Sequence, residues 1–265
     1  MKKSVSSKKE KMKMTVKELY QRLNEIIPES LREEWDNDGI MCSPDGSAEV
    51  NRALVALDVT EEIVDYAIES NVDLIVSHHP LIFKPLNAID DDNHIARKLI
   101  KLLDSGIAVF SFHTRADKVK GGVNDCLAEL LELRDVTSFG DGELGRIGTV
   151  EPQTLEDFAY RAKRATGSDV LKYADAYNTV TRVAVVGGDG KDYVKDAIRA
   201  GADTFLSGRI SYNVMEEAAE MGINLIEAGH YFTEQPVTEY FRELLLDIDP
   251  SLNVELAESN MIKYI

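Results

Sequence analysis

The chain has 265 residues, 44% of them hydrophobic and 29% charged, and a formal net charge of −17. That is the composition of an ordinary globular protein, long enough for one large or two small domains. The first thirteen residues hold six lysines against one glutamate, which leaves −22 for the remainder, a body that repels nucleic acid.

Residues 1–13 read as a frayed basic tail without the apolar stretch of a signal peptide. No apolar run approaches the ~20 residues that span a membrane. Cys42 and Cys126 stand alone without a CxxC spacing, so a disulfide framework is not expected and a cytoplasmic location is. From about Arg52 strand and helix patterns alternate. Residues 54–58 read as a strand, and residues 61–69 as a helix with Ile63, Val64, Ala67 and Ile68 on one face. The apolar strand 72–77 stops at His78-His79-Pro80. A polar loop through Asp90, Asp91 and Asp92 leads to a helix near 95–103, a strand at 107–112 and a helix at 122–133. This alternation predicts an α/β class, with helices covering largely parallel or mixed sheets.

The second half repeats the order. Residues 52–77 lie without gaps on residues 182–207 at an offset of 130, with seven identities in 26 positions. A strand at 182–186, a helix at 192–199 and strands at 203–206 and 223–228 follow. The reading is an internal duplication: a first half at 14–135 and a second at 136–265, forming one compact unit with a site between them.

Four of the five histidines fall at the ends of these strands. His78 and His79 are adjacent, and neighbours on a strand point to opposite faces, so the pair suits two different ions better than one. His113 is followed four residues on by Asp117, and His230 by Glu234; each pair shares a face if its turn is helical. Strand ends are where open α/β sheets place their sites. Imidazole and carboxylate without thiolate suit Mn, Fe, Co, Ni or Zn. Two such ions, ~3.5–4 Å apart across a carboxylate, acidify a water and polarise the bond under attack, as in a dinuclear hydrolase. The fifth histidine, His94, reads as a solvated loop residue. The glycine-rich segments 120–124 and 187–190 read as tight turns more readily than as phosphate cradles. Arg115 and Arg209 lie near strand ends and are candidates for orienting an anionic substrate, with surface arginine as the alternative.

Ser77-His-His-Pro80, His113-Thr-Arg-Ala-Asp117 with Gly121-Gly-Val-Asn-Asp125, and Gly229-His-Tyr-Phe-Thr-Glu234 together resemble the Nif-three-like family, also known as GTP cyclohydrolase I type 2 homologues. Trp35-Asp-Asn-Asp-Gly39, Gly145-Arg-Ile-Gly148, Val183-Ala-Val-Val-Gly-Gly188 and Gly201-Ala-Asp203 extend the resemblance over residues 14–265. It implies two similar α/β halves around two divalent metal ions per chain, in the short form without a central insertion, and a ring-shaped homohexamer. The metal ligands it implies are His78, His79, Asp117, His230 and Glu234, with Glu234 as a bridge and His113 beside the site; a non-ligating imidazole there reads as either a support for the ligands or a proton-transfer group. The chain departs from the family pattern at Asp38, at Arg115, and in Ser207-Gly-Arg209 with Asn213; Arg209 falls at the position equivalent to His79. The expected function is a metal-dependent hydrolase acting on a nucleotide or other phosphorylated small molecule, GTP cyclohydrolase-like by resemblance. The alternative is a non-enzymatic metal-binding scaffold or regulatory partner protein. No membrane or nucleic-acid role is expected.

Overall fold

The computed structural model describes residues 13–265. The lysine-rich stretch expected to fray lies outside them, apart from Lys13. In chain order the first elements are α1 (Val16–Ile26), β1 (Gly39–Cys42), β2 (Arg52–Ala56), α2 (Glu61–Glu69), β3 (Leu74–Ser77), α3 (His94–Asp104), β4 (Ala108–Ser111), α4 (Thr114–Lys118) and α5 (Val123–Leu130). There follow β5 (Arg134–Phe139), β6 (Gly145–Gln153), α6 (Leu155–Thr166), β7 (Lys172–Ala174), β8 (Val180–Asp189), α7 (Val194–Arg199) and β9 (Thr204–Arg209). The chain ends with α8 (Tyr212–Glu220), β10 (Asn224–Glu227), α9 (His230–Glu234), α10 (Val237–Ile248) and β11 (Asn253–Leu256). Among the described residues no helix is long and apolar enough to cross a membrane.

Two mixed sheets carry the fold, in strand orders β1-β4-β3-β2-β11 and β5-β6-β8-β9-β10-β7. β2, β3 and β4 run parallel, as do β8, β9 and β10. The parallel centre explains the apolar runs: all four residues of β3 and of β4 are buried, because helices cover both faces. Alternation sorts the side chains. Val55, Val76 and Phe110 pack against α1 and α10, while Leu54, Ile75 and Val109 pack against α2 and α3. In the second sheet Val185, Leu206 and Ile226 face α5 and α6, and Ala184, Phe205 and Leu225 face α7 and α8.

Helix starts follow their caps. Thr15 accepts from Glu18 N while the Glu18 carboxylate returns to Thr15 N, a capping box that begins α1. Thr60 caps α2 through Ile63 N. The helix expected at 122–133 ends earlier, at Leu130, where Glu132 enters the left-handed region at φ 55°. The helix expected at 192–199 begins instead as a 3₁₀ turn over Lys191–Tyr193.

The two parallel cores share their strand register and a pair of backbone-to-aspartate bonds at the 130-residue offset. Asp73 accepts from Asn51 N at 2.7 Å and Arg52 N at 2.9 Å; Asp203 accepts from Thr181 N at 2.9 Å and Arg182 N at 2.8 Å. Ala53 pairs with Leu74 as Val183 pairs with Thr204. The sheets do not, however, divide the chain at residue 135. β5 begins at Arg134 inside the expected first half, yet belongs to the second sheet. After α9 the chain returns to the first sheet: β11 adds parallel to β2, and Val237, Phe241, Leu245 and Leu252 enter the same core as Leu19 and Leu23 of α1. An otherwise open edge of β2 is thereby covered.

Asp73→Ala and Asp203→Ala each remove a carboxylate that accepts two backbone N–H bonds at the start of a central strand. Each is expected to cost ~1–3 kcal/mol in urea unfolding, against less than ~0.5 kcal/mol for the exposed Asp104→Ala.

Candidate metal centre

The site forms where β3 and β4 end. Ser77 and Ser111, paired in register, join their hydroxyls at 2.8 Å and mark the limit of the apolar sheet. His78 follows, fully buried, and its Nδ1–H donates to Phe112 O at 2.9 Å. That bond sets the tautomer and leaves Nε2 with a bare lone pair. Nε2 is buried without a hydrogen-bond partner, and faces Asp117 Oδ1 and Glu234 Oε1, each at 3.7 Å. His79 Nδ1–H donates to Asp58 Oδ1 at 2.7 Å. Its Nε2 lies 3.0 Å from Glu234 Oε2 and 3.4 Å from His230 Nε2.

α9 is a single turn, so His230 and Glu234 share one face, with Nε2 and Oε2 2.9 Å apart. Glu234 Oε2 is close to two imidazole nitrogens, yet neither contact has hydrogen-bond geometry. Its carboxylate reaches this position because residue 188 is glycine: a Cβ there would sit 2.1 Å from Glu234 Oε1, and φ is +64°. α4 is likewise one turn, with His113 as its N-cap and Asp117 within it. Three overlapping groups result: His78, Asp117 and Glu234; His79, His230 and Glu234; His78, His79 and His113. Within each, the donor atoms lie within 4.8 Å of one another.

The electrostatics are those of acceptors crowded together out of water. Burial, with Glu234 beside it, pushes the Asp117 carboxyl well above the usual range. Burial opposes charge on Glu234 too, but His230 and His78 outweigh it and hold that carboxylate well below its usual value. Burial lowers His78. Burial also opposes charge on His79, but Asp58 and Glu234 prevail and raise it to about 10. Converging imidazoles and carboxylates, with an orphaned buried nitrogen among them, fit a divalent first-row cation in place of protons.

Two carboxylates in this arrangement escaped the sequence reading as site residues. Asp58 closes the predicted strand 54–58, and stands behind His79 with Ser259 Oγ 3.3 Å from its Oδ2. Asp36 accepts from His113 Nδ1 at 2.8 Å, and from Thr114 N and Oγ1 at 3.1 and 2.6 Å. It belongs to Trp35-Asp-Asn-Asp-Gly39, which was the available signal. Phe112 O, Asp58 and Asp36 thus each hold one Nδ1–H, and present the opposite nitrogens of His78, His79 and His113.

Arg115 does not join the site. It is fully buried, bonded through Nε to Asp38 Oδ2 at 3.0 Å and through Nη1 to Asn24 Oδ1 and Ile27 O at 2.6 and 3.0 Å, over the Phe112 ring. In the one-turn α4 it points away from Asp117, so its role is structural and not substrate binding. Asp38, itself raised by burial against the pull of Arg115, is its counter-charge; these two departures from the family pattern form one pair. Arg209 is exposed at the end of β9, opposite Asp189. His94 opens α3 on the surface.

Segment 120–124 turns into α5 as expected, whereas Gly187 and Gly188 lie at the end of β8 and not in a turn; in both segments the glycine N–H groups are already used. Gly121 donates to Asp125, Gly187 to Asn124 Oδ1, Gly188 to Thr233 Oγ1 and Gly190 to Ser207 Oγ. A cavity of about 540 Å³ opens beside the donors, lined by His113, Asp117, His230 and Glu234 among others. A second of about 580 Å³, between α5, β5 and β6, has no histidine in its lining.

A model of the Duf34/NIF3 (NGG1p interacting factor 3) family matches residues 14–264. A GTP cyclohydrolase 1 type 2 homolog of Clostridium acetobutylicum is 33% identical over 234 residues, 85% of this chain and 87% of its own. Its counterpart in Clostridium perfringens is 35% identical over 233 residues, 84% and 88%. The crystal structure of a Staphylococcus aureus hypothetical protein superimposes with a TM-score of 0.87 at 27% identity, over 96% of this chain and all of its own.

Arg115→Ala strands a buried carboxylate, and is expected to cost ~3–5 kcal/mol in urea unfolding. Asp36 is held at about 2, against an ordinary 3.8: burial opposes its charge, but the hydrogen bonds from His113 and Thr114 outweigh it. A lowered carboxylate stabilises the fold above the ordinary value, and loses that contribution as pH falls through the folded one. The acid limb of the stability profile between about pH 4 and pH 2 should therefore flatten in Asp36→Asn, measured by urea unfolding at each pH.

Proposed function

We propose, starting from the chain's membership of the Duf34/NIF3 family, that it is a two-metal hydrolase acting on a small molecule in the cavity beside the donors. One observation carries this reading: the two oxygens of Glu234 divide between two donor sets. Oε1 faces His78 and lies in the group with Asp117; Oε2 faces His79 and His230. A carboxylate so placed is suited to bridge two ions, drawn from Mn, Fe, Co, Ni or Zn, with Asp117 and the imidazoles of His78, His79 and His230 as the four remaining side-chain donors. Bound there, the ions would supply Lewis acidity and lower the pKa of a water.

The chain's own residues do the rest. Asp58 and Phe112 O orient His79 and His78 so that their Nε2 atoms face inward. His113 lines the cavity with its Nδ1 tied to Asp36, which leaves the other nitrogen to accept or return a proton at the substrate. The open cavity favours catalysis over a storage scaffold, which needs no substrate space. GTP is the first substrate to assay, because the Clostridium relatives carry that name. Neither Arg115 nor Arg209 lines the cavity, which removes both side chains that pointed to a phosphorylated substrate. The matched Asp73 and Asp203 networks support internal duplication as the origin of the two sheets. A homo-oligomeric ring in the cytoplasm completes the reading.

Elemental analysis should find two divalent ions per chain. Glu234→Ala should lose both, and His94→Ala neither; one ion in the parent chain would contradict the bridge. His113→Ala should keep both ions while hydrolysis falls ~10²–10⁴-fold. Because Asp117 and His79 are raised, loading must displace protons, so calorimetry in buffers of different ionisation enthalpy should show proton release and affinity rising with pH.

A further inference from the structure

The cavity beside the donors has two unlike walls. One is aromatic: Trp35 and Phe83 meet nearly perpendicular, ring centroids 6.3 Å apart, and each meets His113 edge-on at 6.2 and 6.1 Å. They remain 64% and 44% exposed, so the two adjacent rings present a stacking surface open to the cavity. The facing wall carries Asp141, Asp189 and Asp192 around Tyr193. No lysine or arginine lines the cavity. Lys191 answers Asp189 at 2.9 Å and also lies within electrostatic reach of Asp192, but among the described residues neither Asp141 nor Asp192 forms an ion pair. The glycine N–H groups beside the cavity are already bonded internally. At the floor lies Glu234, 5% exposed, its Oε2 without a hydrogen bond.

Stacking surface on one side and an excess of carboxylates on the other select by charge. We propose that the cavity takes a planar, nitrogen-bearing ring that is neutral or cationic. The ring lies on Trp35 and Phe83 with its N–H edge or positive charge toward Asp141 and Asp192. An anionic group is tolerated only at the His-Asp-Glu end, so a polyphosphate chain crossing the acidic wall is disfavoured. This inference rests on the cavity being the substrate site of the hydrolase proposed above, and it narrows the substrate class.

Three rings of one size separate charge from shape: 1-methylnicotinamide as the cation, nicotinamide as the neutral ring and nicotinate as the anion. Trp35 is the chain's one tryptophan, so its indole N–H resonance reports binding at this wall without reference to activity. In chelator-treated protein the cation should shift that resonance and bind about tenfold tighter than the anion. In zinc-loaded protein the cation should still bind ahead of the neutral ring. Phe83→Ala should weaken the cation about tenfold, and the double variant Asp141→Asn/Asp192→Asn should lose most of the charge preference; all three positions are at the surface. Nicotinate binding as tightly as the cation in chelator-treated protein, or an indole resonance unmoved by all three rings, would overturn the proposal. Absence of metal with the charge preference intact would sink the hydrolase reading and leave the ring site standing. Two ions per chain without ring binding would do the reverse.

Discussion

The arrangement turns on one buried carboxylate. Glu234 is held out of water with its two oxygens facing two sets of donors, and an isolated ion in that position is costly. What surrounds it reduces that cost. Residue 188 lacks a side chain, so the carboxylate reaches the end of β3, and a one-turn helix places His230 beside it. The imidazoles point their second nitrogens inward. In the chain alone, protons divide unevenly over the set, Asp117 raised and Glu234 lowered. A divalent cation would satisfy these atoms together, which is why the same constellation reads as a candidate metal centre and as a source of displaced protons.

Holding the imidazoles in register recruits distant parts of the chain. Asp36 comes from the segment after α1, Asp58 from the end of β2, and Ser259 from the C-terminal segment beyond β11. The return of α10 and β11 to the first sheet brings that last segment within reach of Asp58. Closing the open edge of β2 and bracing the site are therefore one piece of construction.

Arg115 shows how local sequence misleads. It stands two residues after His113 and two before Asp117, at the end of a central strand, where an arginine reads as an anion clamp. In a single helical turn, a residue two positions away from Asp117 points to the other face. There it meets Asp38 some eighty residues back, together with Asn24 and the Phe112 ring. A buried Arg–carboxylate pair of this kind contributes little net stability, but neither partner tolerates loss of the other. The acidic cavity wall carries no arginine: the cation implied by the motif lies inside the fold.

The chain's own residues determined the α/β class, most of its central strands and helices, and the histidines and carboxylates at the strand ends. Period-two and helical patterning are local properties, and metal-ligating side chains are rare enough to stand out. The matched Asp73 and Asp203 were visible at the 130-residue offset for the same reason. Only the tertiary structure decided which carboxylates stand behind which imidazoles, where Arg115 points, and that α10 and β11 belong to the first sheet. Those outcomes depend on contacts between residues tens to hundreds of positions apart, whose partners are chosen by packing and edge closure, and no local pattern encodes them.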